Sequence, residues 1–446
     1  MSSAVLLIGC VLLLVPCYAR FGMVHPLTVT LALWTGTAVL VVIRPMNLVD
    51  PDLRVSVAIV LGLAVLTITP LVLDHRRRGR GPAPEDRPVV PMTLHTGALA
   101  VATVVVLAAV TWASLQYRSA ISAALGQPFS EADPKLVRWA ELYGNVSAGG
   151  TVGMALALAP LLGAFAVIGG LCSSRLWYLL LPVAVIVTMQ SPSRTATLTV
   201  VVTAAFFQVL LARSPGLPVR RRARTPGRWR ALAIAVGAVV LAVVYFGFVG
   251  QQRDGTEMPD TLRVAGWVPQ ALVEPLLYLL GGISAFSVGL TEPLGDHGPY
   301  GEFGRSMYAV VRIGQLMGFD LPSPEPFAGY VDMPVSFNTY TSFGDAYFDF
   351  GLAGVLGLSL LTGLLVHLLS VWPRRGHPGS AWGMSVMAAV LTATPIHMRL
   401  LDLDILIPAA VGLVAIAAIL RPTRGPTRRA GVLTAPPWAA RGRVGA

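Results

Sequence analysis

The sequence predicts an all-α polytopic membrane protein of about eleven transmembrane helices. Three observations predict it. Only 12% of the 446 residues are charged and 54% are hydrophobic, where an ordinary soluble chain carries roughly 25% charged residues. Apolar runs of about 18–20 residues recur, each long enough as helix to cross a hydrocarbon core of about 30 Å. Short arginine-rich pieces fall between alternate runs, as cytoplasmic loops do.

Taken in order, the runs place spans at 3–19, 27–43, 55–73, 95–114, 150–170, 177–190, 195–212, 231–249, 350–372, 381–396 and 403–420. The first run lacks a basic leader and a small-residue cleavage site, so it is expected to remain as a span. No internal repeat accompanies the runs. Cys10, Cys17 and Cys172 have neither metal-site nor disulfide spacing and read as small packing residues. With the N-terminus outside, the inner segments hold 22 of the 33 basic residues and three of the 22 acidic ones. That leaves +19 inside and −8 outside, so the expected topology is N-out and C-in. The same asymmetry explains the net charge of +11 without nucleic acid. The loops Arg76–Arg87 and Arg213–Arg230 read as topological anchors against anionic lipid. The organisation expected is a membrane domain 1–249, an extracytoplasmic segment 250–348, a second membrane stretch 349–420, and a disordered basic tail 421–446.

Three polar stretches then lie outside: Gln116–Gly149, the turn Gln190–Arg194, and Gln251–Phe348. Within the last, Leu272–Leu290 is nearly apolar but carries Glu274, Pro275 and the Gly281-Gly282 pair. A full extra crossing there would move the basic 374–375 loop and the tail outside, so a broken re-entrant or interfacial segment is expected. Phe303–Phe319 has helically spaced apolar residues with Arg305 and Arg312 on one face, as in a helix lying at the membrane surface. The stretch Phe337–Gly351, FNTYTSFGDAYFDFG, leads straight into the ninth span.

No Walker motif, dinucleotide loop, zinc spacing or serine-hydrolase elbow is present, which argues against an ATP-driven pump. What remains is a set of outer cations and carboxylates. Arg194 opens a span after Pro192, beside hydroxyls, where a guanidinium and a helix N-terminus both suit phosphate oxygens; the plainer reading is a snorkelling side chain. Arg305 and Arg312 read either as lipid contacts or as a diphosphate clamp. Arg399 lies near His397 and Asp402, and an ion pair with Asp402 is the structural alternative. Asp345 and Asp349 are four apart and share a helix face. Carboxylates there either oppose the helix dipole, for about 0.3–1 kcal/mol, or accept a proton from an attacking hydroxyl. Asn338, Tyr340 and Tyr347 supply the amide and hydroxyls that sugar recognition needs, with Glu302 a further candidate contact. His297 is the other base candidate, its alternative being a solvated loop histidine.

Asn338-Thr-Tyr-Thr, Gly344-Asp345, Tyr347 and Asp349-Phe-Gly351, with the Gly-rich span after them, resemble the signature of the oligosaccharide repeat-unit polymerases, the Wzy-type O-antigen and capsule polymerases. Tyr278–Phe286 (YLLGGISAF) and an arginine opening a span, as Arg194 does, resemble the family too, and the strong part covers roughly 270–372. The resemblance implies a GT-C-like membrane glycosyltransferase on the outer face of the plasma membrane. One polyprenyl-diphosphate-linked glycan would be donor and another lipid-linked repeat unit acceptor, with polyprenyl diphosphate leaving. Asp345, Asp349 or His297 would do proton chemistry, the four arginines would hold the diphosphate, and no cofactor or metal would be needed. Chain-length regulator and flippase proteins would be partners. Two rivals stand beside it: a ligase moving a lipid-linked glycan to another acceptor, and a flippase or transporter.

Overall fold

The computed structural model of the chain describes residues 1–78, 91–133, 136–137, 140, 150–189, 194–214, 216–218, 261–291, 308–321, 330–371, 377–396, 400 and 402–423. Seven helices among them are long and apolar enough to cross a membrane: Ser2–Phe21, Pro26–Ile43, Leu53–His75, Thr96–Leu125, Thr151–Cys172, Gln270–Gly289 and Ser342–Ser370. Shorter apolar helices are Arg175–Met189, Ala196–Ala212 and Leu403–Ile419. The chain is a mostly helical multi-pass membrane protein, as its composition requires: in hydrocarbon every backbone polar group must be satisfied within its own segment. The expected span 231–249 lies outside the described residues.

Local sequence sets the helix ends. Pro26 occupies the first turn of its helix, and the His25 ring accepts a hydrogen bond from Leu27 N at 3.3 Å. Gly126 ends the Thr96–Leu125 helix in the left-handed conformation (φ 67°). That helix runs eleven residues beyond the expected 114, because Tyr117 and Ile121 continue its buried face onto Val137, Ala140 and Val152. The expected 150–170 span is two pieces, Gly150–Leu156 and Ala159–Cys172, with Pro160 in the first turn of the second.

The helix Pro378–Thr392 forms the centre and is buried along nearly its whole length. Its Trp382 stacks edge-on against Phe207 at 5.6 Å and donates to Pro408 O at 3.1 Å. Leu12, Val101, Val104, Leu368 and Val414 stay exposed on peripheral helices, as lipid-facing side chains do.

The connections sort to two ends of the bundle. At one end Met92–Leu94 pairs antiparallel with Leu420–Pro422, Met92 N donates to Gly216 O (2.8 Å), and Thr423 N donates to Pro91 O (2.8 Å). Arg20 pairs with Asp74 across two adjacent helices, in segments the charge rule assigns to the same side. Arg421 and Pro422, at the start of the expected tail, thus belong to a strand, and residues 424–446 lie outside the described residues. At the other end the 44–54 connection joins the 261–268 and 331–337 segments. Asn47 N donates to Arg263 O (3.1 Å), Ala265 N to Pro45 O (2.9 Å), and Thr261 Oγ1 to Pro334 O. Met46, Leu262, Val273 and Val335 close a small apolar cluster there.

Gln270–Gly289 corrects one expectation: neither Pro275 nor the glycine pair breaks it, and it is one continuous helix. Its contacts keep both halves at the second end. Val273 packs with Met46, Ser284 Oγ donates to Val49 O (2.7 Å), and Asp52 N donates to Ser287 Oγ (3.0 Å). The connection between two spans thus runs alongside this helix. Of the expected surface helix 303–319, Tyr308–Leu316 is helical, with Val310 and Ile313 exposed.

The ninth expected span begins earlier, at Ser342, and contains a reversal. Phe350 (φ −139°, ψ 16°) and Gly351 (φ 62°, ψ −156°) leave helical geometry, splitting Ser342–Val371 into a short helix before them and a long one after. The short piece folds back so closely that a β-carbon on Gly354 would lie 2.3 Å from Ala346 O. In a straight helix residues eight apart are about 12 Å apart along the axis. Gly354→Ala should therefore destabilise the protein by about 1–3 kcal/mol and lower its thermal midpoint in detergent. Gly357→Ala, three residues on and facing open space, should leave the midpoint unchanged or slightly raised.

Candidate functional site

The stretch 337–351 folds into one unit. Phe337 ends the strand pair Val331–Asp332/Ser336–Phe337, residues 338–341 cross to the short helix, and that helix carries both aspartates. Thr341 caps it: its Oγ1 accepts from Gly344 N at 3.0 Å, and its carbonyl accepts from Asp345 N at 2.9 Å. Ser342 N, another orphan donor of the first turn, is satisfied from elsewhere in the chain, by Thr394 O at 2.9 Å.

Two glycines of YLLGGISAF then bring Gln270–Gly289 against this unit. A β-carbon on Gly281 would meet the Phe337 ring at 2.8 Å, and one on Gly282 would meet Pro395 O at 3.0 Å and Thr341 N at 3.3 Å. Close approach, not a break, is what the pair provides. An aromatic collar surrounds the junction. Phe286 packs on Tyr347 (5.5 Å) and Phe348 (5.4 Å), Tyr340 on Phe348 (5.1 Å), and Tyr278 on Phe337 (5.7 Å). The unit is recessed: Phe343 packs against Gly62, nine residues into the Leu53–Arg78 helix, or about 14 Å along its axis.

The structure divides the sequence-predicted residues. Asp345 and Tyr340 are fully buried (0% exposed), whereas Asn338, Tyr347 and Asp349 are half-buried. Asp345 also lies in the first turn of its helix, where a carboxylate opposes the dipole. Burial, and then the Asp345 charge beside it, raise the phenol of Tyr340, on the loop before the helix, above its ordinary value. Tyr340 is accordingly neutral, and its burial favours the fold below the ordinary phenol range near 10, a contribution lost as pH rises beyond it.

Of the arginines, Arg194 and Arg312 lie on helices whose backbone is described but whose side chains are not, and Arg305 and Arg399 lie outside the described residues, with His297 and Glu302. The backbone still locates Arg194. Phe207 packs on Trp382 and Val202 on Ala388 and Ala389, so the Arg194–Ala212 and Pro378–Thr392 helices run antiparallel. Arg194 is therefore level with the 393–396 turn. That turn reaches the motif: Pro395 touches Gly282, and Thr394 and Leu400 share a cavity of about 20 Å³ with Ser342 and Ala346.

Sequence reasoning missed Trp34 and Thr394. Trp34 Nε1 donates to Thr394 Oγ1 at 2.8 Å, with both residues buried. The available signal was a lone tryptophan inside an apolar span, whose N–H must find a partner. Among the described residues no group of three or more His, Cys, Asp or Glu side chains could hold a metal ion. Compared with known proteins, the chain matches no family model, no curated protein and no solved structure.

The two aspartates should separate experimentally. Asp345→Ala empties a buried site and should cost on the order of 1–3 kcal/mol, seen as a lower thermal midpoint and less folded protein. Asp349→Ala, half-exposed, should keep the parent midpoint; equal midpoints for both variants would show that Asp345 is not structurally held.

Proposed function

We propose that the chain is an integral membrane glycosyltransferase that polymerises polyprenyl-diphosphate-linked oligosaccharide repeat units on the outer face of the plasma membrane. In this reading it has eleven crossings, a GT-C-like architecture, an extracytoplasmic N-terminus and a cytoplasmic C-terminus. One observation carries the proposal: the acid- and aromatic-rich motif, the YLLGGISAF helix and the turn leading to Arg399 converge at one recessed place. That place is at the end of the bundle opposite the junction from which the arginine-rich stretches depart. The motif and the YLLGGISAF helix are the segments whose residues resemble the repeat-unit polymerases.

The chemistry follows from the groups available. A hydroxyl oxygen of the acceptor sugar attacks the anomeric carbon of the donor. The bond from that carbon to the diphosphate oxygen breaks, and its electron pair leaves with polyprenyl diphosphate. The hydroxyl proton passes to a carboxylate, and its being less buried than Asp345 supports Asp349 in that role. Arg194, whose backbone is level with the 393–396 turn, neutralises the departing charge, with Arg399 following that turn in the sequence and Arg305 and Arg312 on the segment before the motif. Fixed cations aimed at developing charge are commonly the largest catalytic term. Asn338 and Tyr347 hold sugar hydroxyls.

The test is a gel of surface glycan from cells with and without the gene. A ladder present only with the gene supports a polymerase, whereas a single added unit would mark a ligase-like transferase. Arg194→Ala, Arg305→Ala and Asp349→Ala should each abolish the ladder at unchanged protein abundance. Full ladders from all three would overturn the assignment.

A further inference from the structure

The geometry points to Trp34 and Thr394 as positioning residues: a buried latch that holds the turn before Arg399 against the helix carrying Asp345 and Asp349. It rests on the glycosyltransferase reading for its consequence, though not for its existence. Trp34 touches both partners at once. Its Nε1 donates to Thr394 Oγ1 (2.8 Å), and its ring lies against Phe343 of the acid-bearing helix (centroids 5.5 Å, 50° between planes).

Thr394 completes the connection. Its hydroxyl, having accepted from Trp34, donates to Leu391 O (2.7 Å), and its carbonyl accepts from Ser342 N (2.9 Å). The hydroxyl thus links the second span to the last turn of the Pro378–Thr392 helix, and the carbonyl links that turn to the acid helix. All three residues are buried: Trp34 is 0% exposed, Ser342 3% and Thr394 7%. No backbone bond from within the acid helix can replace Thr394 O, because first-turn N–H groups have no intrahelical acceptor. Gly282 admits Pro395 to the same point from the other side. The Trp34 side chain is thereby positioned to set the distance between the motif carboxylates and the turn that leads to Arg399, without itself reaching substrate.

A thiol probe tests this in the full-length protein in detergent. Ile396→Cys places the probe in the latched turn, and Thr93→Cys in the strand pair at the far end serves as control. Both are read by the rate of labelling with a maleimide above the background of the native cysteines. Trp34→Phe keeps an aromatic ring but loses the donor, and Thr394→Val keeps the shape but loses the hydroxyl. Each should speed labelling at position 396 by about two- to tenfold, the change in a local opening equilibrium expected for one lost hydrogen bond. Labelling at position 93 should not change, and Thr394→Ser should restore the parent rate at 396. Unchanged labelling at 396 in both Trp34→Phe and Thr394→Val overturns the latch, as does equal acceleration at both probes, which would mean general loosening. In cells the same two variants should shorten or remove the glycan ladder, and Thr394→Ser should restore it. Faster labelling in a protein that yields no glycan ladder even as wild type would break the enzymatic reading and leave the latch standing.

Discussion

Close approach of backbones at two glycines, with a left-handed turn at a third, is the constraint on which the rest of this molecule depends. Gly282 leaves a β-carbon only a tight fit between its helix, Thr341 and Pro395, and Gly354 leaves no room for one beside Ala346 O. Gly351 supplies the left-handed residue that turns the chain between them. Together they bring an acid-bearing helix, a second apolar helix and a turn to within van der Waals contact, below the rim of a membrane bundle. A first-turn N–H of that helix would be orphaned there without a polar partner, and Thr394 O supplies one. The polar chemistry is stable at this depth because its hydrogen bonds are closed by neighbouring segments, not by water.

The same packing sorts the motif by accessibility. Asp345 and Tyr340 are fully buried, one in the first turn of the helix and the other within the aromatic collar as a phenol held neutral. Asn338, Tyr347 and Asp349 are half-buried. Burying a carboxylate is costly unless it is held by partners, and a position bearing that cost is poorly suited to meeting a mobile substrate. In the proposed reaction the less deeply buried Asp349 is therefore the proton acceptor, although spacing alone makes the two equivalent.

Composition and periodicity made the membrane class and most helices legible, since an apolar run of the right length has few other uses. The arginine asymmetry anticipated which connections share an end: 44–54 meets 261–268, and 91–94 meets 216 and 420–423. What could not be read were consequences of contacts between distant residues. Gly281-Gly282 looks like a helix break in isolation and is a close-packing surface in context. The early start of the ninth span at Ser342, with its reversal at Gly351, depends on Gly62 and Gly354 accepting neighbours that local sequence does not reveal. Trp34 and Thr394 are 360 residues apart, and no pattern in either neighbourhood announces the other. The tail's strand, Leu420–Pro422, exists only because Met92–Leu94 is beside it.

The central claim is that the recessed motif opens on the side of the bilayer opposite the arginine-rich junctions. Single cysteines at two exposed positions test it most directly: Ser336→Cys beside the motif, and Thr93→Cys in the strand pair at the other end. Sealed right-side-out vesicles would be treated with a membrane-impermeant maleimide before and after permeabilisation. The account predicts labelling at 336 before permeabilisation and at 93 only after it. Labelling at 93 in sealed vesicles, with 336 protected, would invert the molecule and contradict it.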